Sequence, residues 1–163
     1  MPTRSSNRKA APDTTDPASL NSNALTSMVG YNIRRAWLAV ATLFAERMAP
    51  YGLRPVDFSV LLLLAHNPGA TSRQLCATLA IQPPNLVKLI ATLDSRGLIE
   101  RHPHPRDGRA IGLYLAPAGQ VLASEAEQAA AQFEQDASAY LSASERKTLM
   151  GLLQKIGQRQ PKY

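Results

Sequence analysis

The chain has a single cysteine, few aromatic side chains and no long apolar run. Of its 163 residues, one is cysteine and 6% are aromatic. One cysteine excludes an internal disulfide and is typical of a reducing compartment. No stretch of about 18 apolar residues occurs, so no membrane span is expected. The amino terminus also lacks the apolar core of a secretion signal, and we therefore expect a cytoplasmic location.

Sequence patterns that mark enzymes and metal sites are also missing. The chain has no phosphate-binding loop, no nucleophile elbow and no Cys–His pair in a supporting context. The three histidines, His66, His102 and His104, are not at metal-ligand spacing with other ligands. No catalytic residue, metal or cofactor is therefore predicted. A length of 163 residues suits one domain or one protomer of a dimer.

Positive charge is concentrated in one part of the chain. The formal charge is +6, which favours an anionic partner without naming it. Residues 117–144 contain no lysine or arginine. Residues 71–115 carry three acidic side chains against a larger basic set: Arg73, Lys88, Arg96, Arg101, Arg106 and Arg109. A basic surface that is merely solvated stays an alternative, although the charge coincides with the motif described next.

A short helix is predicted at the start of this basic segment. Thr71 and Gln74 have the spacing of a capping box, in which the hydroxyl accepts from the amide of residue 74 and the glutamine reaches back. Leu75, Cys76 and Leu79 then fall on one helical face. We interpret Cys76 as a small core residue, with a redox sensor as the alternative.

A second helix follows a turn at residues 80–82. Pro83 and Pro84 open it, because a missing N–H costs nothing in the first turn. Its apolar positions form one stripe that faces a core: Leu86, Leu89, Ile90 and Leu93. The opposite face carries small polar, methyl-bearing and cationic side chains: Pro84, Asn85, Val87, Lys88 and Thr92. Gly97 lies where a left-handed residue ends a helix.

A helix with these two faces suits the major groove of DNA. Asn85 can pair bidentately with adenine, Val87 can meet a thymine methyl, and Lys88 can bond guanine or phosphate. The predicted contact set is Pro84, Asn85, Val87 and Lys88 for base edges, with Ser72 and Arg73 for phosphate. A helical pair used only for packing is the alternative.

The segment after this helix predicts a β-hairpin. Residues 98–101 and 110–115 have the pattern of two strands around a loop at 102–109, which contains the turn-forming pair Asp107-Gly108. The loop also holds Arg106 and Arg109. An arginine on a thin β-ribbon can enter the minor groove, where the potential is most negative. Together the two helices and the hairpin predict a winged helix-turn-helix.

The helix pair, the Pro-Arg-Asp-Gly-Arg of the hairpin and the following Leu-Ala-Pro-Ala-Gly at 115–119 resemble the MarR family of transcription regulators. The resemblance covers about residues 24–158. It implies that Asp107 braces the wing while Arg109 enters the minor groove. Gln82 and Ala116 depart from the family, which has hydroxyl-bearing helix caps at these places. Each departure removes a cap worth ~1 kcal/mol and leaves the fold intact.

Two helices are predicted ahead of this module. Residues 23–48 predict one long helix whose apolar stripe is wide enough to be buried against its own core and against a partner subunit. A turn at 50–52 ends it. Residues 56–66 then predict a nearly all-apolar helix at the centre of the core.

Two more helices are predicted after the wing. Residues 117–141 predict an alanine-rich helix whose apolar stripe continues to Tyr140. Ser142 and Glu145 have the spacing of a second capping box. The last helix carries an apolar stripe of its own: Leu149, Leu152, Leu153 and Ile156.

These segments divide the chain into a disordered arm at 1–20, an N-terminal dimerisation helix at 21–52, a winged helix-turn-helix at 53–116 and C-terminal dimerisation helices at 117–163. The outer helices carry more apolar surface than one small DNA-binding module covers, so we expect a homodimer. The fold class is mainly α with a small β-hairpin wing, a winged helix-turn-helix in a six-helix, MarR-like dimer. Basic side chains of the arm add phosphate contacts, or the arm is a solvated tail.

The resemblance implies a ligand-responsive repressor that binds a pseudo-palindromic operator on double-stranded DNA. The expected ligand residues are Tyr31, Arg34, Arg35 and Trp37 of the first helix and Phe58 of the second. Aromatic walls with a guanidinium suit a small aromatic carboxylate or an aromatic acyl-CoA. Tyr-x-x-Arg-Arg-Ala at 31–36 is similar to MarR-type regulators of hydroxycinnamate catabolism.

Two alternatives to this function stay open. In the first, Arg34 and Arg35 are surface charges or dimer salt bridges and Trp37 lies in the core. In the second, the protein is a helical dimer that mainly binds protein partners and has only incidental DNA affinity.

Overall fold

The computed structural model describes residues 20–104 and 107–158, without the side chains of 107–109. The predicted arm, apart from Leu20, and Arg106 lie outside these residues. The described residues up to Ala39 form one compact unit and those from Val40 onward another. The elements are α1 (Asn23–Thr26), α2 (Val29–Met48), a 3-10 turn (Ala49–Tyr51), α3 (Pro55–His66), β1 (Ala70–Thr71), α4 (Ser72–Leu79), α5 (Pro83–Ser95), β2 (Ile99–His104), β3 (Asp107–Leu115), α6 (Pro117–Ala137) and α7 (Ala143–Gly157).

The predicted first helix is interrupted between α1 and α2, so the prediction of one helix over 23–48 is wrong. Ser27 Oγ donates to the carbonyl oxygen of Ala24 at 2.9 Å. Asn32 Nδ2 donates to the carbonyl oxygen of Thr26 at 2.8 Å. Side chains that bond nearby backbone groups compete with the helical hydrogen-bond ladder. The break accounts for seven α-helices, rather than the predicted six, in the part of the chain that the structure describes.

The core of the C-terminal unit is built around α3. Val60, Leu61 and Leu64 are at most 1% exposed, as the apolar run predicts. The core continues into neighbouring elements through further buried side chains: Phe44, Met48, Leu53, Leu75, Leu86, Leu89, Ile90, Leu93, Leu98, Ile99, Leu113, Ala123, Ala126 and Phe133. This cluster joins the helix-turn-helix, the base of the hairpin and α6, and it therefore supplies a rigid support for any surface that α5 presents.

The sheet has three antiparallel strands in the order β1-β3-β2. The two-residue strand β1 is not predicted from the sequence, and it pairs Ala70 with Leu113. The hairpin strands are longer than predicted, because 102–104 belong to β2 and 107–109 belong to β3. The predicted eight-residue loop is therefore wrong. Cross-strand pairing continues to His104 and Asp107, beyond an irregularity at Pro103/His104.

Helix α6 is shorter than predicted. It ends at Ala137, and Tyr140 is 100% exposed, so placing Tyr140 on the apolar stripe is wrong. Ser138 is the C-cap residue, and its hydroxyl donates to the carbonyl oxygen of Glu134 at 2.6 Å. The chain then enters α7 through the predicted capping box of Ser142 and Glu145.

Apolar side chains of α7 stay exposed in the single chain. Its predicted stripe residues are 44–52% exposed: Leu149, Leu152, Leu153 and Ile156. The N-terminal unit also exposes apolar side chains of α2, among them Ile33, Trp37 and Leu38. Among the described residues, no single helix is long and apolar enough to span a membrane; only α2 with its 3-10 turn and α3, counted together, pass that test by length and composition.

Candidate nucleic-acid interface

Helix α4 begins in the capping box that the sequence predicts. The backbone N–H of Gln74 donates to Thr71 Oγ1 at 3.4 Å, and the backbone N–H of Thr71 donates to Gln74 Oε1 at 2.8 Å. Ser72 and Arg73 lie in the first turn that this cap fixes, and both are exposed. They are therefore available to an anion at the start of the helix.

The turn between α4 and α5 is tight. Ala80 adopts a left-handed conformation with φ of 51°, and the N–H of Ile81 donates to the carbonyl oxygen of Cys76 at 3.1 Å. Helix α5 then begins at Pro83, and Gln82 makes no side-chain capping bond, as expected of a glutamine at this position. Cys76 is half-buried and packs against the core.

Helix α5 has the two faces that the sequence predicts. The stripe of Leu86, Leu89, Ile90 and Leu93 is at most 5% exposed. The residues of the opposite face are all exposed: Pro84, Asn85, Val87, Lys88 and Thr92. Val87 is 64% exposed, and an apolar side chain so open on a helix held by a buried stripe is available to a partner.

A shallow groove of about 430 Å³ runs beside this face. Its lining is Arg54, Val56, Ile81, Asn85, Lys88, Leu89 and Thr92. The groove brings Arg54 of the α3 N-terminus next to two predicted base-contacting residues, Asn85 and Lys88. Arg54 is not among the residues that the sequence predicts to contact DNA. Its position three residues before Asp57, with Pro55 between them, was the available signal, because that is the spacing of a capping box.

Arg54 and Asp57 form an ion pair at the start of α3. Arg54 Nε donates to Asp57 Oδ2 at 2.8 Å, Arg54 Nη2 to Oδ1 at 2.9 Å, and the Arg54 backbone N–H to Oδ2 at 3.0 Å. Burial by itself raises the pKa of the Asp57 carboxyl. The hydrogen bonds from Arg54 and the charges of Arg54 and Arg96 outweigh burial and hold that pKa below its ordinary value.

Two arginines hold the C-terminal end of α5. Arg96 Nη1 donates to the carbonyl oxygen of Gly52 at 3.1 Å, and Arg96 Nη2 donates to that of Tyr51 at 3.2 Å. Arg101 of β2 donates from Nε to Asp94 Oδ2 at 3.1 Å. Charge pattern alone places both arginines on the basic DNA-facing surface. The structure shows that their guanidinium groups bind protein oxygens.

The wing is a continuous two-stranded ribbon at its described residues. His102 Nε2 lies 2.9 Å from Glu100 Oε2, and the His102 ring meets Tyr114 edge to face at 5.4 Å. Asp107 and Arg109 belong to β3, whereas their side chains and all of Arg106 lie outside the description. The roles of these three residues in the wing therefore stay predictions.

The predicted ligand residues lie on two helices. Tyr31 of α2 is half-buried, Arg34 and Arg35 are exposed, and Trp37 is 54% exposed, so Trp37 is not part of the core of this chain. All four belong to the N-terminal unit. Phe58 of α3 belongs to the C-terminal unit, where the ring meets that of Phe44 edge to face at 5.8 Å.

No metal-binding cluster of three or more His, Cys, Asp or Glu occurs in the ranges 20–104 and 107–158. His66 and His102 each lie beside a single carboxylate. His66 Nε2 is 3.2 Å from Glu127 Oε1, between α3 and α6.

The chain is similar to known DNA-binding regulators. A family model described as the MarR family matches residues 51–110. A Thauera aromatica protein that carries the name of a transcriptional regulatory protein for the hcr operon is 32% identical over 149 residues, which are 91% of this chain and 90% of that protein. The structure of the transcriptional repressor CouR bound to a 23-mer DNA duplex has a TM-score of 0.79 at 34% identity, over 85% of this chain and 98% of CouR. The structure of CouR bound to p-coumaroyl-CoA has a TM-score of 0.76 at 33% identity, over 86% of this chain and 99% of CouR.

Proposed function

Since the chain belongs to the MarR family of transcription regulators, we propose that it is a repressor that binds a pseudo-palindromic operator as a homodimer and leaves it when a small aromatic effector binds. The chain is similar to a regulator named for an operon and to a repressor whose structures contain DNA and p-coumaroyl-CoA. Because a bacterial-type cell keeps its DNA in the cytoplasm, we expect the protein to act there.

The exposed face of α5 is the observation that carries the DNA-binding proposal. Asn85 recognises adenine through its amide, Val87 meets a thymine methyl, and Lys88 bonds guanine or phosphate. The first turn of α4 adds phosphate contacts from Ser72 and Arg73. On the wing, Arg109 enters the minor groove and Asp107 braces the wing itself. Arg106 contacts the DNA backbone.

A homodimer presents this face twice. Two recognition helices related by a two-fold axis read half-sites about 10 bp apart, which is one turn of the duplex. The exposed apolar stripe of α7 supports a dimer, because an apolar face of this size is rarely left in water.

A fluorescence-anisotropy titration with the DNA upstream of the protein's own gene tests the proposal. We expect the preference over a shuffled duplex to be about 10³ or more at physiological salt. Asn85→Ala should cost about 1–3 kcal/mol on the upstream site and much less on shuffled DNA, because it removes a base contact. Lys147→Ala on α7 is the matched control and should leave the preference unchanged. Equal affinity for both duplexes would favour the protein-interaction module instead.

The effector we propose is an aromatic carboxylate or an aromatic acyl-CoA. Tyr31, Trp37 and Phe58 supply aromatic surface, and Arg34 and Arg35 supply cationic groups for a carboxylate or a phosphate. To release DNA, the effector must bind the two states of the dimer with affinities that differ by several kcal/mol.

The effector is tested by adding p-coumaroyl-CoA, p-coumaric acid and CoA separately to the protein–operator complex. We expect at least the thioester or the free acid to release DNA, and CoA alone to be inactive. The double change Arg34→Ala and Arg35→Ala should raise the effector concentration needed, whereas Arg146→Ala should not. Failure of every compound would remove this ligand class and leave the DNA-binding proposal intact.

A further inference from the structure

The turn between α2 and α3 is held by a side chain from the far end of α5. Arg96 is the C-cap residue of α5, and its guanidinium spans the carbonyl oxygens of Tyr51 and Gly52 at 3.2 and 3.1 Å. These oxygens end the 3-10 turn that follows α2. Gly52 has a φ of +60°, and a Cβ added there would lie 3.6 Å from Arg96 Nη2. The turn and the arginine are therefore packed closely against each other.

The start of α3, which follows this turn closely in the chain, is fixed by an ion pair of its own. Asp57 is only 4% exposed and accepts three hydrogen bonds from Arg54, which directly follows the turn and Leu53. Leu53 itself is buried, at 6% exposed. The charge of Arg96 helps to lower the pKa of Asp57. The guanidinium of Arg96 thus bonds the α2–α3 turn and also acts electrostatically on the carboxylate at the N-terminal end of α3.

An arginine suits both contacts at once. Its rigid planar fork presents two N–H donors from different nitrogens, whereas the three donors of a lysine share one nitrogen at the end of a flexible stem. Leu93, one turn before Arg96, is fully buried, so the end of α5 has little freedom to move independently of the turn.

We infer that Arg96 is a positioning residue, which transmits displacements of the α2–α3 turn to the DNA-facing side of α5. The inference rests on the proposed function, because it takes α5 as the helix that reads DNA. The end of helix α2, whose Tyr31, Arg34 and Arg35 the proposed function assigns to the effector, is followed directly by the turn that Arg96 holds. Loss of the arginine should therefore weaken both operator binding and the response of that binding to the effector.

The test compares Arg96→Gln and Arg96→Lys with wild type and with Arg146→Gln, which changes an exposed arginine of α7. The first measurement is backbone amide exchange without DNA. We expect Arg96→Gln to speed exchange both in the 49–53 turn and in the last turn of α5, with Arg96→Lys between it and wild type. Unchanged exchange in either segment would overturn the inference, whatever the DNA measurements show.

The second measurement is the dissociation constant for the operator over a range of salt concentrations, with and without p-coumaroyl-CoA. We expect Arg96→Gln to raise the constant about tenfold and to reduce the ratio of constants with and without effector. The slope against salt should not change, because the guanidinium lies on carbonyl oxygens. A slope lowered by about one would make Arg96 a phosphate contact instead.

The remaining outcomes are distinguishable. If wild type prefers no operator, the proposed function fails and the inference fails with it. If wild type binds and responds while Arg96→Gln changes only the melting temperature, Arg96 is merely structural and the inference alone is overturned. If Arg96→Gln does not fold, Arg96→Lys, which keeps the positive charge, still allows both measurements.

Discussion

Gly119 is buried in the first turn of α6, directly against the backbone of Leu98. A Cβ at this position would overlap the Leu98 carbonyl oxygen and lie 2.9 Å from the carbonyl carbon. That oxygen also accepts the N–H of Ala116 at 3.0 Å, so the backbone cannot simply withdraw. We expect Gly119→Ala to lower the free energy of unfolding by about 1–3 kcal/mol, measured by urea denaturation.

Gly157 provides the matched control for this substitution. It is the last residue of α7, and nothing lies within 4 Å of a Cβ added there. Gly157→Ala should change the free energy of unfolding by less than about 1 kcal/mol. Equal effects of the two changes would mean that helical propensity, rather than the contact with Leu98, decides the result.

Asp57 makes stability depend on acid pH. Its folded pKa lies below the ordinary value of about 3.9, so its contribution to stability is complete above that value and is lost as the pH falls through the folded pKa. At pH 7, Asp57→Asn should cost about 1.5–3 kcal/mol of unfolding free energy, because hydrogen bonds to a charged group are lost. The difference from wild type should shrink below about pH 4, when denaturation is measured from pH 2 to 7. A difference that widened in acid would contradict the ion pair as its cause.

At the scale of the elements, the hairpin and α5, which we propose to bind DNA, are bonded to each other. Arg101 of β2 is bonded to Asp94 of α5, and β3 pairs with both β1 and β2. The described part of the ribbon is therefore anchored at its base to α5 and β1, and we propose that the wing reaches the minor groove beyond it. Arg109 belongs to β3, whereas the placement of its side chain is a prediction.

Arg109→Ala tests the wing. We expect operator affinity to fall and the slope of log affinity against log salt to become flatter by about one counterion, because one phosphate-rich contact is lost. Arg146→Ala, on α7 and away from the wing, should leave the slope unchanged. If affinity and slope both match wild type after Arg109→Ala, the wing does not take part in binding.

At the scale of the whole molecule, the proposed dimer rests on the apolar surface that the single chain leaves exposed. Leu153 of α7 is 45% exposed and belongs to a stripe that buries no residue within its own chain. Leu153→Asp should shift the protein from dimer to monomer in sedimentation equilibrium, because a carboxylate in an apolar interface is costly. Operator affinity should fall with it, since a monomer reaches only one half-site.

Gln154→Asp places the same charge at the next position of α7. It should leave the protein dimeric, because the stripe is not interrupted. If both variants are monomeric, the effect comes from added charge on α7 as a whole. If both variants stay dimeric, the interface does not include the α7 stripe.

Periodicity and capping chemistry made the helix-turn-helix predictable from the sequence. The spacing of Thr71 and Gln74, the prolines at 83 and 84 and the four-residue stripe of α5 are local patterns, and the structure confirms each of them. The points at which helices are interrupted were harder to predict from the sequence. At the breaks at Ser27 and Ser138, single side chains bond nearby carbonyls, and such bonds leave the apolar pattern unchanged.

The sequence by itself determined which face of α5 is buried and where α4 and α5 begin, because those features depend on residues within one or two turns of each other. Only the tertiary structure decided what Arg96, Arg101 and Gly119 do. Arg96 reaches carbonyls 44 and 45 residues away, and Gly119 meets Leu98 across two elements. Charge pattern shows that an arginine is present, but whether its guanidinium lies on a protein oxygen or faces an anion is decided by the packing that brings distant segments together.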